Sequence, residues 1–285
     1  MLRLFPPEQP RYGNEASPRR LIRSRRANCQ CGIPERHCCE TAPSYSASAA
    51  IGAGHSGHRR SAGADLLLAT VIAFTAGAAN AGGFFALGQY TSHVTGYMSQ
   101  LADHLVVAEW WICLVALIAI GAFVSGAAFC SALIHWARLH LPGRQYAVSV
   151  AVQGVCLMLF ATGGWFESAA WRLWCMACLC FTMGMQNATV TKISGGRLRA
   201  THATAMITDI GIGLGRALYR RHSPDAVHRV DWHRMRMMAQ LVLTFFLGGV
   251  TGALGYARIG FGFSLPLGCL LLAMALPALW SCRRS

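Results

Sequence analysis

Read along the chain, polar residues thin out abruptly after Ala64, and from Asp65 onward long uncharged runs alternate with short charged clusters. Six runs are bounded by Asp65 and His93, Glu109 and His135, Arg144 and Glu167, Arg172 and Lys192, Arg236 and Arg258, and Arg258 and Arg283. A hydrocarbon core about 30 Å thick is crossed by about 20 helical residues, so each run is of spanning length. The runs mix Gly with bulky aliphatics and lack strict alternation, which suits lipid-embedded helices rather than barrel strands. Two further segments, starting at Val94 and near Thr201, are shorter or more polar. Asp103 and His104 stop the first and Asp209 interrupts the second, so full crossing would be costly and both are predicted to be short or re-entrant helices.

The chain also repeats itself. Phe74-Thr75-Ala76-Gly77-Ala78-Ala79-Asn80-Ala81 is answered by Phe181-Thr182-Met183-Gly184-Met185-Gln186-Asn187-Ala188. Ser92-His93-Val94-Thr95 is answered by Thr201-His202-Ala203-Thr204, and Val124-Ser125-Gly126-Ala127 by Val250-Thr251-Gly252-Ala253. Three matches in the same order predict duplication of one unit: a span, a short segment and two more spans. The expected fold class is therefore an all-α integral membrane protein of six full transmembrane helices plus two short or re-entrant helices. Its two repeats, of three spans each, cover about 65–163 and about 168–282.

Charge decides orientation. With 25 Lys and Arg against 11 Asp and Glu the net charge is +14, but the cations sit in the first 64 residues and between spans. That placement fits topology and anionic lipid headgroups, and argues against nucleic acid as a partner. With the Arg-rich start in the cytoplasm and both short segments returning to the side they left, Arg138, Arg144, Lys192, Arg197, Arg199, Arg216, Arg220, Arg221, Arg229, Arg234 and Arg236 all fall inside. Asp103, Glu109 and Glu167 fall outside, and Arg258 is misplaced. The positive-inside rule thus predicts inverted repeats with both termini cytoplasmic.

Residues 1–64 lack the apolar core of a secretory signal and are predicted to be a disordered, basic cytoplasmic tail, with the membrane domain at 65–285. The tail holds Cys29, Cys31, Cys38 and Cys39 beside His37, a spacing that fits no standard zinc pattern, and no metal or cofactor is expected. The cysteines within the spans, Cys175, Cys178 and Cys180 among them, are expected to serve helix packing.

Inverted repeats with interrupted helices are a recurrent transporter architecture with the site between the repeats. Ser92 and Thr201 are suitable N-caps for the short helices. Seven-residue spacing sets His93 over Gln100 and His202 over Asp209, while Thr95 with Ser99 and Thr204 with Thr208 form a second polar stripe. Together with Asn80 and Asn187 these are the candidate substrate-binding residues. A His and an Asp on one embedded face could carry protons; the plainer reading is that they bond to one another and hold the halves together. Gly77, Gly96, Gly121, Gly126 and Gly184 are read as points of close helix approach. The Gly211–Gly215 and Gly248–Gly252 pairs are read as internal packing, with a homo-oligomer interface the alternative. No G-x-S-x-G elbow, P-loop, H-E-x-x-H or dinucleotide fingerprint occurs, and no nucleophile stands beside a base, so an enzyme is not expected.

Taken together, Ala76 to Ala81, Ser92 to Gly96, Gly184 to Ala188 and Thr201 to Thr204 resemble the YoaK-like family of multispan bacterial membrane proteins, from about Leu66 to about Trp280. The resemblance implies a bacterial inner-membrane location and brings no substrate. Members read Gly-x-x-Asp-Ala where this chain has Asn80, Thr-Gly-Asn where it has Thr95-Gly96-Tyr97, and Thr-Gly where it has Thr204-Ala205. The first departure removes a membrane carboxylate. The leading expectation is a transporter or permease for an unidentified small solute. The alternative is a non-transporting sensor or assembly module, and a membrane-embedded enzyme using His93, His202 and Asp209 ranks third.

Overall fold

The computed structural model describes residues 62–165, 168–195, 203–219 and 231–280; the cysteine-bearing N-terminal segment and Thr201, His202, Arg220 and Arg221 lie outside them. Among the described residues the secondary structure is helical throughout, with no strand. The helices are α1 (Ala62–Leu87), α2 (Val94–Val106), α3 (Trp110–His140), α4 (Gln145–Ala161), α5 (Ala169–Ile193), α6 (Ala203–Tyr219), α7 (Trp232–Ile259) and α8 (Ser264–Trp280). Short 3-10 turns at Thr162–Trp165 and Gly260–Phe263 follow α4 and join α7 to α8.

Among the described residues five helical stretches are long and apolar enough to cross a membrane: Gly63–Leu87, Trp110–His140, Gln145–Trp165, Ala169–Ile193 and the continuous 49-residue stretch Trp232–Trp280. The protein is accordingly a multi-pass membrane protein. The last stretch is broken at Gly260, whose φ of 62° lies in the left-handed region that glycine enters without penalty. Helix ends elsewhere follow local chemistry. Ser168 accepts from the Trp171 amide (3.2 Å) to start α5, and Asp231 accepts from the Arg234 amide (3.0 Å) to start α7. After α3, Pro142 cannot continue the helix, and Gly143 turns the chain with φ 81°.

α2 has 13 residues, about 20 Å at the helical rise, which falls short of the hydrocarbon thickness. α6, with 17, packs along α7, and α2 along α3. Both short helices are largely exposed.

Three helix pairs make the core: α1 with α7, α3 with α5, and α4 with α8. In lipid, apolar side chains gain little by leaving the tails, so close backbone approach through small residues does the work. The pairs use glycine in matching ways. Gly77 of α1 lies on the Phe245 carbonyl of α7 and Gly248 of α7 on the Phe74 carbonyl of α1. Gly184 of α5 lies on the Phe123 carbonyl of α3 and Gly126 of α3 on the Phe181 carbonyl of α5. Gly154 and Gly268 meet each other's carbonyls where α4 meets α8.

These contacts correct the third sequence match. Gly126 stands to Phe181 as Gly248 stands to Phe74, so the partner of Gly126 is Gly248, and pairing it with Gly252 is one helical turn out of step. Gly252 instead rests on Ala78, which makes the Gly248–Gly252 pair internal packing, as expected. Gly121, Gly211 and Gly215 have no neighbour within 4 Å of an added Cβ, and Gly96 faces the His93 ring; none of these four is a point of close helix approach.

Candidate functional site

At the α1–α2 junction, Asn80 is the organising residue. Its Oδ1 accepts from the Ser92 amide (3.0 Å) and the Ser92 hydroxyl (2.9 Å), tying the end of α1 to the chain entering α2. Ser92 is thereby used as a donor to Asn80 and is not the cap of α2; that position falls to His93, which makes no side-chain capping bond. His93 is exposed, as are Thr95 and Ser99. Gln100, seven residues beyond His93, turns its Nε2 toward Gln89 Oε1 (3.5 Å). Beneath this turn the Gln100 Oε1 and Thr91 Oγ1 atoms are buried without a hydrogen-bond partner. Tyr97 packs inward against Ala116, Ala119, Met176 and Cys180.

On the second short helix, Thr204 and Thr208 are exposed, and the Thr208 hydroxyl donates to the Thr204 carbonyl of its own helix (2.9 Å). Asp209 accepts from the Arg234 guanidinium at 3.1 Å, with both side chains nearly half exposed (45% and 49%). The carboxylate expected to stand on an embedded face is therefore a partner of the first turn of α7, at the end where Asp231 caps that helix. The stripe of His202 over Asp209 lies partly outside the described residues. Asn187, the counterpart of Asn80, is buried in α5 and donates to the Met183 carbonyl (3.0 Å).

A second polar group was not anticipated from the motifs. Cys130 of α3, Ser149 and Gln153 of α4 and Thr189 of α5 are all 0% exposed and mutually bonded. The Ser149 and Thr189 hydroxyls are 2.9 Å apart, Gln153 Nε2 donates to both (3.1 and 2.8 Å), and the Cys130 sulfur lies 3.2 Å from each. Nearby, Gln186 Nε2 lies 3.5 Å from Thr75 Oγ1, linking α5 to α1. The signal was present as Ser149 and Gln153 four apart inside an uncharged run, and as Gln186 and Thr189 three apart in the next. Gln186 lies inside the first repeated motif, whereas Ser149, Gln153 and Thr189 lie outside all of them.

No group of three or more His, Cys, Asp or Glu side chains placed to hold a metal occurs among the described residues. Chemically, both clusters offer neutral hydroxyl and amide groups suited to hydrogen bonding with a small solute. Comparison with curated proteins and with solved structures gives no match. The family model described as a protein of unknown function (DUF1275) matches residues 68–277, from within α1 to within α8, and the chain belongs to that family.

Proposed function

We propose that the protein is a small-solute transporter or permease of the bacterial inner membrane, built from six spans in two inverted repeats, with α2 and α6 re-entrant and both termini cytoplasmic. On this reading the family is the YoaK-like family, and the protein carries out no catalysis. The observation that carries the reading is the reciprocal glycine packing, in which α1 stands to α7 as α5 stands to α3. The 49-residue stretch supports six spans, because unbroken it would run about 73 Å, more than twice the hydrocarbon core. Inversion is supported by α1 and α5. Gln186 reaches Thr75, whereas Leu87, at the far end of α1, packs on the cluster holding Met176 and Cys180, which precede Gln186 in α5. That order is the one that α1 and α5 running in opposite directions would give.

Transporters of this type place irregular backbone and polar groups where two repeats meet. The Asn80–Ser92 clasp and the unpartnered Gln100 and Thr91 oxygens sit at such a break. The test is flux of labelled small solutes into proteoliposomes. The reading expects at least one solute to be moved by the wild type and its flux to fall at least about tenfold in the His93→Ala/His202→Ala double variant. Unchanged flux counts against a site at the short helices. A second reading, a sensor or assembly module, draws on the outward placement of His93, Thr95, Ser99, Thr204 and Thr208. It expects a stoichiometric partner to co-purify and no solute to be moved.

A further inference from the structure

The α3–α4–α5 cluster has a hydrogen-bond pattern that can be followed proton by proton. The Thr189 hydroxyl donates to the Met185 carbonyl (2.9 Å), so its oxygen can only accept from the other members. The Ser149 hydroxyl then donates to Thr189, the Cys130 thiol donates to Ser149, and the two Gln153 amide protons go to Ser149 and Thr189. Every proton is used, and one acceptor is left. Gln153 Oε1 is buried with no partner, in a residue that is 0% exposed.

Turning the Gln153 amide over does not cure this. Its oxygen would then face Thr189 Oγ1, whose proton is already committed to Met185, and two N–H donors would be orphaned in place of one acceptor. Helix glue alone predicts a closed set of bonds, because a buried polar atom left unmade carries its full desolvation penalty. The open position accepts, and the bonded members are all uncharged.

We propose that Gln153 Oε1, backed by Ser149 and Thr189, is a binding site for a small uncharged hydrogen-bond donor, an O–H or N–H solute of which water is the smallest. This site is separate from the α1–α2 junction and does not depend on the transport reading.

Hydroxyl-radical footprinting of the full chain in detergent tests it, because radicals formed from a bound water oxidise the sulfur beside it even where bulk solvent is excluded. Cys130 reports on the site. Cys175, equally buried but within the apolar cluster with Phe160, is the dry control. The expected result is oxidation of Cys130 several-fold faster than Cys175 in the wild type, and equal rates in Gln153→Leu. Equal rates in the wild type overturn the proposal, and that comparison stands even if the variant fails to fold. Formamide then separates the sources. If it slows Cys130 oxidation the site takes N–H solutes, and if it has no effect the site holds water; both support a donor site.

Discussion

Adding a single methyl group at Gly77 tests the packing account at its narrowest point. A Cβ there would overlap the Phe245 carbonyl oxygen of α7 and press on the Gly249 nitrogen, both backbone atoms that no rotamer change can move aside. Helices α1 and α7 would have to separate by roughly 1 Å to restore ordinary contact, opening their interface along its length. Overpacking of this kind costs about 1–3 kcal/mol, a factor of about 5–150 in the unfolding equilibrium. Gly184→Ala should cost a similar amount, because its Cβ would meet the Phe123 carbonyl and the Ala127 nitrogen in the same geometry. Gly121→Ala, with nothing within 4 Å, should cost less than about 0.5 kcal/mol. The coupling is more diagnostic still. In Gly77→Ala/Gly248→Ala both methyls force the same pair apart, so the double variant should be less destabilised than the sum by about 0.5 kcal/mol or more. Thermal unfolding in one detergent, with ligand-free protein, measures these four variants together with Gly248→Ala alone, which completes the cycle. If Gly77→Ala and Gly184→Ala unfold like Gly121→Ala, the close approach described above is wrong.

Asn80→Ala should destabilise by about 1–3 kcal/mol, since it leaves the Ser92 amide and hydroxyl without their acceptor, whereas Asn80→Asp, which keeps an oxygen in place, should lose less; the same unfolding assay separates them. The Asp209–Arg234 pair is exposed, so Asp209→Asn should cost under about 1 kcal/mol, and the loss should shrink as salt is raised during unfolding. Ser168→Ala removes the acceptor for the Trp171 amide and should cost about 1 kcal/mol, recovered in Ser168→Asp.

The long uncharged runs were readable as helices because their length answers to a physical thickness. The first match was readable too, since Gly77 and Gly184 both lie against backbone. The third was misaligned by one turn because Val-Ser-Gly-Ala and Val-Thr-Gly-Ala agree in residue type, while packing selects by helix face, and Gly248 stood one turn earlier. At the candidate site, the repeated motif pointed to the right junction but not to its bonds. Sequence spacing takes Ser92 as the cap and His93 as the first helical residue, yet Asn80 captures Ser92 from α1, and the cap position moves on to His93. Asp209 found Arg234 across a stretch of chain that no spacing rule connects. The Cys130–Ser149–Gln153–Thr189 cluster draws on three helices, and only their packing brings it together.

Inverted topology is the claim on which the transport reading depends, and accessibility of single cysteines in a cysteine-free background tests it most directly. With reporters placed by Glu109→Cys, Glu167→Cys, Gln145→Cys and Arg197→Cys, an impermeant thiol reagent added to intact cells should label the first two and spare the last two until the membrane is opened. Labelling at Gln145→Cys and Arg197→Cys from outside would mean that α2 crosses the bilayer and that the repeats run parallel, and it would contradict the account.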